Sequence, residues 1–394
     1  MPPTCLTVLA PIRRGGETAL GGVLRAIGDD IKGKRLAPGE RPHIDFLRCP
    51  RTHFARFAIL TDPDRGAGCT RLLFASVYDG DLDGHLAELV AATSDMDAIW
   101  GSCEGYSRAG GFNTFVREHA LEPEGFYIAF RDETVASIWR AISGDRRPPQ
   151  PSLGSWLMRT WRRVRRALPV LADLVRAVAR FGLAAVYRNT SKVVASLDRI
   201  TVFRVFNRLT GNRLPPRRSP YSSVVLDNCA PLAPLVPGDE LPFLPAAPPP
   251  ALREDLVAQN ELTLVTVVRP GSADRVRAVV AAIDSYAKRL APPGSLIGVS
   301  TIHFVRWLLI DDARRLVLLS DYDNSWESYI DEFAELILSG LDAIWETSYG
   351  YPSDGARDVP ALKRFLRTHQ VRADVFYSAY PDDTVLNIVD ATTG

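Results

Sequence analysis

Thr52-His53-Phe54-Ala55-Arg56-Phe57 has a counterpart in Ile302-His303-Phe304-Val305-Arg306-Trp307, 250 residues further along the chain. The likeness extends outward from that stretch. Arg71-Leu72-Leu73, Ser76 and Tyr78-Asp79 answer Arg315-Leu316-Val317, Ser320 and Tyr322-Asp323 at an offset of 244, so a six-residue difference falls in the turn between them. Asp97-Ala98-Ile99-Trp100 answers Asp342-Ala343-Ile344-Trp345, and Gly105-Tyr106 answers Gly350-Tyr351. Phe115, Arg117 and His119 answer Phe365, Arg367 and His369; Phe126-Tyr127, Asp132 and Thr134 answer Phe376-Tyr377, Asp382 and Thr384. So many identical anchors in one order mark an internal duplication, which decides the architecture before any single motif does.

Within each copy the periodicity reads strand, helix, strand, strand, helix, strand. Leu262 to Arg269 is rich in β-branched residues, and Ala273 to Leu290 carries Val276, Val279, Ile283 and Tyr286 at helical spacing. Ile302 to Ile310 and Arg315 to Tyr322 read as strands joined by the short turn Asp311-Asp312-Ala313-Arg314. Glu327 to Ile344 reads as one helix and Val375 to Tyr380 as the last strand. That βαββαβ order is the ferredoxin-like unit, which covers one face of its sheet with helices and leaves the other apolar. Two copies bury those open faces against each other. The expected class is therefore α+β: two tandem ferredoxin-like repeats, residues 1–143 and 262–394, packed sheet to sheet as an α/β barrel. This arrangement resembles the dimeric α/β-barrel superfamily, which includes dye-decolourising peroxidases, chlorite dismutases and small cofactor-free monooxygenases. The resemblance implies oxidoreductase chemistry on a hydrophobic small molecule and, in the peroxidase-like members, haem.

The intervening residues have no counterpart in the repeats. The formal net charge of +1 conceals twelve Arg or Lys against two acidic residues between Ser155 and Thr210, a local balance of +10 that leaves −9 on the remainder. In residues 144–214 the tryptophans Trp156 and Trp161 stand among Arg159, Arg162, Arg163, Arg165 and Arg166. Apolar bulk beside clustered arginine is the pattern of a helix lying on an anionic membrane surface. The same helix could instead dock on the acidic remainder of its own chain, and nucleic acid is the less favoured partner. Residues 215–261 are proline-rich, including the run Pro248-Pro249-Pro250, and read as extended linker. Five scattered cysteines without a CxxC pair fit a reduced, cytoplasmic setting, peripheral at the inner membrane face if the basic helix makes that contact.

Four of the six histidines are repeat pairs, His53 with His303 and His119 with His369. Pairing Ile310 with Arg315 sets His303 opposite Tyr322 and one residue from Asp323. An imidazole there could bond either side chain and serve as a general base or a haem ligand. His53 is the equivalent ligand in the first copy. A sheet histidine between Phe304 and Val305 is as readily a satisfied core residue, and duplication favours that structural role. Strand alternation puts Arg56 and Arg306 on the face opposite the histidines, where each must be paired or sit at a rim. Asp79 and Asp323, or the helix acids Asp331 and Glu335, are candidate partners, and Arg306 a candidate catalytic cation. Asp323, Asn324 or Ser325 suits the cap of the following helix, and Arg117-x-His119 with Arg367-x-His369 reads as exposed. Two functions follow as expectations: a barrel oxidoreductase using His303, Tyr322, Asp323 and Arg306, or a non-catalytic module binding a lipid or a partner at a membrane.

Overall fold

A computed structural model describes residues 2–33, 41–61, 70–145, 258–289 and 291–393. Among them, the first half of the chain contributes strands β1 (Pro3–Pro11), β2 (Thr52–Thr61), β3 (Thr70–Asp79) and β4 (Gly125–Ile128). Its helices are α1 (Glu17–Ile31), α2 (Leu82–Ala92), α3 (Met96–Trp100), α4 (Phe112–Glu118) and α5 (Val135–Asp145). The second half contributes β5 (Gln259–Val267), β6 (Ile302–Ile310), β7 (Arg315–Asp323), β8 (Gln370–Val371) and β9 (Ala373–Ser378). Its helices are α6 (Ala273–Arg289), α7 (Trp326–Leu336), α8 (Leu338–Trp345), α9 (Val359–His369) and α10 (Val385–Thr393).

These elements form a mixed helix and sheet protein with two antiparallel sheets, ordered β1-β3-β2-β9 and β4-β6-β7-β5-β8. The last strand of each half therefore lies in the other half's sheet. β4 pairs with β6 (Phe126 opposite Arg306), and β9 pairs with β2 (Arg56 opposite Phe376). Before crossing, each segment touches its own first strand. Leu121 N donates to Thr7 O (2.8 Å), and β8 sets Val371 opposite Thr263. A self-contained βαββαβ unit would have left the outer edges of β2 and β6 unpaired. Both strands are buried nearly end to end, so their edge N–H and C=O groups need protein partners, and the exchanged strands supply them.

Each sheet is covered on both faces. Between the sheets Ala58, Leu60, Leu73 and Ala75 meet Leu308, Ile310, Val317 and Leu319. On the outer face of the first sheet Leu20, Leu24 and Ile27 of α1 pack with Phe57, Phe74 and Trp100. On the second, Val276, Val279 and Ile283 of α6 pack with Ile302, Val305 and Trp307. The β6–β7 turn places Asp311, Asp312 and Ala313 all at positive φ (57°, 53° and 62°). Asp311 spans the halves there, accepting from both terminal nitrogens of Arg71 at 2.7 Å.

The helix expected over Glu327–Ile344 is two. Ile337 leaves helical dihedrals (φ −132°, ψ 32°) and separates α7 from α8. A β-branched residue followed by Ser339 and Gly340 is a weak stretch of helix former, and the break lets Ile337 turn inward. No helix among the described residues is long and apolar enough to cross a membrane.

Candidate functional site

The two histidines of the duplicated stretch meet at the junction of the halves, both fully buried (0% exposed). Each sits in a β-bulge: the register shifts between Thr52 and Phe54 on β2 and between Ile302 and Phe304 on β6. Ile310 does pair with Arg315, but the extra residue sets Ile302, and not His303, opposite Tyr322. A bulge re-aims the side chain it carries. His303 Nε2 donates to Asp323 Oδ1 (2.7 Å), while Tyr322 stacks on Tyr329 with ring centroids 4.1 Å apart. The first half repeats the arrangement, His53 Nε2 donating to Asp79 Oδ1 at 2.9 Å.

The second oxygen of each carboxylate has its own task. Asp79 Oδ2 accepts from Val135 N and Asp323 Oδ2 from Val385 N, both at 2.8 Å, so each caps the helix that follows an exchanged strand. The histidine backbones complete the link: His53 O accepts from Ala379 N and His303 O from Ala129 N, both at 2.9 Å. Each His–Asp pair thus ties β2 to β3, or β6 to β7, while holding the segment that crosses between the halves.

The halves differ at one atom. Tyr380 hydroxyl lies 2.8 Å from His53 Nδ1 and donates to it in the tautomer that gives Nε2–H to Asp79. The residue equivalent to Tyr380 is Phe130, whose ring lies edge-on to His303 at 5.5 Å, and His303 Nδ1 is buried without a partner among the described residues. Burial raises the Tyr380 hydroxyl well above its ordinary pKa, with Asp79 adding to the shift.

The arginines are not opposite the histidines in effect, because the bulges intervene in the alternation. Like His53, Arg56 faces the second half. It donates to Leu262 O (3.1 Å), Thr263 Oγ1 (3.2 Å) and Ser320 O (2.9 Å), and pairs with Glu261 (3.1 Å) and Asp321. Arg306 reaches into the first half, donating to Leu6 O (2.8 Å), Thr7 Oγ1 (3.0 Å) and Ser76 O (3.1 Å). Asp79 and Asp323 therefore serve the histidines and helix ends, and the arginines lace one sheet to the other. Burial lowers both guanidinium pKa values, that of Arg56 to about 10.

The helix cap after β7 is Ser325, which accepts from Ser328 N (3.2 Å). His119 and His369 are half-buried, closing helix ends by donating from Nδ1 to Phe115 O (2.9 Å) and Phe365 O (2.8 Å). His85 was not singled out by the repeat, yet it replaces Tyr329 of the second half. It stacks on Tyr78 (4.0 Å between centroids), and its Nε2 lies 2.9 Å from Ser76 Oγ. Gly80-Asp81-Leu82-Asp83-Gly84 follows β3 and opens α2. Here Asp81 caps α2 by accepting from Gly84 N (2.8 Å), and exposed Asp83 pairs with Arg117.

Haem does not fit these residues. Nε2 of both junction histidines holds a carboxylate, Tyr380 takes Nδ1 of His53, and Phe54 and Phe130 close in His303, each ring 5.5 Å away. Among the described residues no group of three His, Cys, Asp or Glu is placed to hold a metal ion. Trp156, Arg159, Trp161, Arg162, Arg163, Arg165 and Arg166 lie outside the described residues.

A cavity of about 60 Å³ lies elsewhere, between the outer face of the second sheet and helices α6, α7 and α8. Ile302, Val305 and Trp307 form its floor, Val279 and Ile283 one wall, and Ile330, Ile337 and Leu341 another. Phe333, Leu318 and Gly340 also line it and are only half-buried, so it approaches the surface near the α7–α8 break. Among the described residues its lining includes no acid, base or thiol, and the one hydroxyl, that of Tyr329, is bonded to Ser320 Oγ (2.6 Å). Ile337, at the break between α7 and α8, is one of its lining residues, and helical periodicity alone gives no sign of that break. Neither a family model nor a curated protein matches the chain, so the geometry carries the functional argument.

Proposed function

We propose that this protein is a non-catalytic binding module that holds an apolar small molecule by its hydrocarbon end in the cavity of its second half. The observation that carries this reading is the lining, which is hydrocarbon and aromatic throughout the described residues. Whole drug-sized ligands need roughly 300–1,000 Å³. A space of about 60 Å³ instead suits the end of a chain whose remainder extends past Phe333 and Leu318. Burying that end would contribute about 0.8 kcal/mol per methylene. The polar constellation with catalytic potential is spent on holding the halves together, which favours binding over oxidoreductase chemistry.

The same reading takes the two sheets with exchanged fourth strands as a duplicated ferredoxin-like barrel, supported by the β1-β3-β2 and β5-β7-β6 adjacencies. The segment from Trp156 to Arg166 would bring the module to an anionic membrane surface. Co-sedimentation with anionic vesicles that survives Arg162→Glu with Arg165→Glu would count against that part.

For the cavity, n-pentane is the probe and the methyl NMR signals of Ile283, Ile330 and Leu341 are the readout. We expect them to shift and saturate in the native protein. Gly340→Leu should fill the space: a Cβ at Gly340 meets nothing nearer than Ile337 Cβ at 3.8 Å, so the variant can fold. Unmoved methyls in the native protein, or undiminished binding in a folded Gly340→Leu, would overturn the proposal.

A further inference from the structure

Among the described residues four large apolar side chains stand exposed, and two of them lie on one pair of packed helices: Trp139 on α5 (39% exposed) and Leu386 on α10 (48%). Each of these helices starts at one of the His–Asp pairs, Val135 N on Asp79 and Val385 N on Asp323. Their outward residues carry little charge. Ala136 and Ser143 are exposed beside Trp139, and Asn387 and Thr393 beside Leu386, with Arg140 and Asp390 the one charge on each side. Tryptophan in such a place is characteristic of a contact surface.

The chain outside the described residues begins and ends at this helix pair. α5 runs to Asp145, immediately before residues 146–257. The chain returns at Ala258, and the next residue, Gln259, donates from its side-chain nitrogen to Tyr380 O (2.7 Å) and to Asp383 O, in the turn that leads into α10. Nine residues separate Ala258 from the end of the run Pro242-Phe243-Leu244-Pro245-Ala246-Ala247-Pro248. Proline recurs there at every third residue, the period of a polyproline II helix, which would set the prolines on one edge and Phe243 and Leu244 on the other two. Proline-rich segments of this kind are stiff before they bind, lose little entropy on docking, and are received by exposed aromatic rings.

We infer that residues 242–248 dock on the outward face of α5 and α10, with Phe243 and Leu244 against Trp139 and Leu386. The reach is ample. Ten steps from Pro248 to Ala258 span up to about 33 Å, whereas α10, nine residues long, extends about 14 Å. The tether also decides between runs. Pro231, Pro234 and Pro237 share the period but stand eleven residues further from the return point, and the effective concentration of a tethered segment falls with linker length once the span is met. Docking closes residues 146–241 into a loop with both ends at this helix pair, which holds the basic stretch between Ser155 and Thr210 on this side of the molecule. The inference is independent of the cavity in the second half.

Hydroxyl-radical footprinting of the full chain tests it, with oxidation of Trp139, Leu386 and Phe243 read by mass spectrometry and Leu47, 89% exposed, as the reference. Burying one side chain of this size is worth about tenfold or more in an equilibrium constant, so Phe243→Asp with Leu244→Asp is expected to release the segment. Oxidation of Trp139 and Leu386 should then rise severalfold while that of Leu47 stays unchanged. Leu232→Asp with Leu235→Asp, in the other run, should move none of the three. Reciprocally, Phe243 oxidation should rise severalfold in Trp139→Ser, a substitution at an exposed position that the fold tolerates. Equal Trp139 oxidation in the native chain and in the Phe243 and Leu244 variant sinks the inference, whether the face is bare in both or covered in both, and so does an unmoved Phe243 in Trp139→Ser. A rise with the Leu232 and Leu235 variant instead assigns the other run and overturns this one. Protection of Trp139 that is lost on dilution makes the occupant a second copy, and docking within one chain falls.

Discussion

Arg56 and Arg306 occupy equivalent positions, yet only one has carboxylates beside it. Glu261 and Asp321 stand next to Arg56, where the other half has Cys5 and Val77. Arg306 has two carbonyls and a hydroxyl, with the Phe126 ring 5.4 Å from its guanidinium carbon. Removing the first cation strands two acids in the interior; removing the second relieves a buried charge at the expense of three acceptors. Arg56→Met is expected to cost about 3–5 kcal/mol, and Arg306→Met about 1–2 kcal/mol, as measured by urea unfolding. Equal losses would show that the carboxylates are not what Arg56 holds in place. His85 gives a second contrast. Burial, with the Arg51 charge adding to it, lowers its pKa from 6.5 to about 3. An imidazole whose folded pKa is depressed binds its proton more readily unfolded. Its penalty is absent above about pH 6.5 and grows as pH falls toward 3. His85→Tyr copies Tyr329, keeping an aromatic ring against Tyr78, and should flatten the loss of stability between pH 6.5 and 4. An unchanged slope in thermal melts over that range would assign the acid sensitivity to other groups.

At the scale of elements, each exchanged strand lies against the first helix of the other half, and a glycine makes the approach close. A Cβ at Gly28 of α1 would run into Asp374 O on β9. At Gly125 of β4 it would come within 2.7 Å of Val280 Cγ1 on α6. The first obstacle is backbone and the second a side-chain methyl with little freedom. Gly28→Ala should therefore lower stability by about 1–3 kcal/mol, against the gain that alanine usually brings to a helix interior. A higher melting temperature for Gly28→Ala would mean that β9 moves away at no cost. Much of this level was legible in the sequence: β5, α6 and the β6–β7 hairpin follow from periodicity and turn composition, and the repeat carries them over to the first half. The exchange was not legible, because strand propensity says that residues 373–378 are extended and nothing about which sheet edge accepts them. The bulges at His53 and His303 escaped for a different reason: β2 and β6 are buried on both faces there, so the sequence shows no alternation of apolar and polar side chains for an extra residue to interrupt. The His–Asp pairing was nevertheless readable from the repeated Tyr-Asp after β3 and β7, and the lone Tyr380 hydroxyl stood in plain view opposite Phe130.

For the whole molecule, the exchange makes the halves depend on each other. The outer edge of β2 is completed by β9 and that of β6 by β4, and Arg56 and Arg306 donate to the opposite sheet. His53 has its imidazole bonded to Tyr380 of the other half and its carbonyl to Ala379. Neither half alone can satisfy these groups, and each would expose the apolar face that carries Ala58, Leu60, Leu308 and Ile310. Unfolding in denaturant should then be a single transition for both halves, with tryptophan fluorescence from Trp100 in one and Trp307 in the other moving together. Residues 2–145 and 258–393 made as separate chains should each lack native tertiary structure and regain it on mixing, because the contacts between them require no covalent connection. Near-UV circular dichroism of each chain alone and of the equimolar mixture is the measurement. A well-ordered spectrum from either chain by itself would mean that its fourth strand can fold back onto its own first strand, the position that β8 and residues 119–121 already touch. The exchange would then be one of two arrangements open to this sequence rather than the condition for its folding.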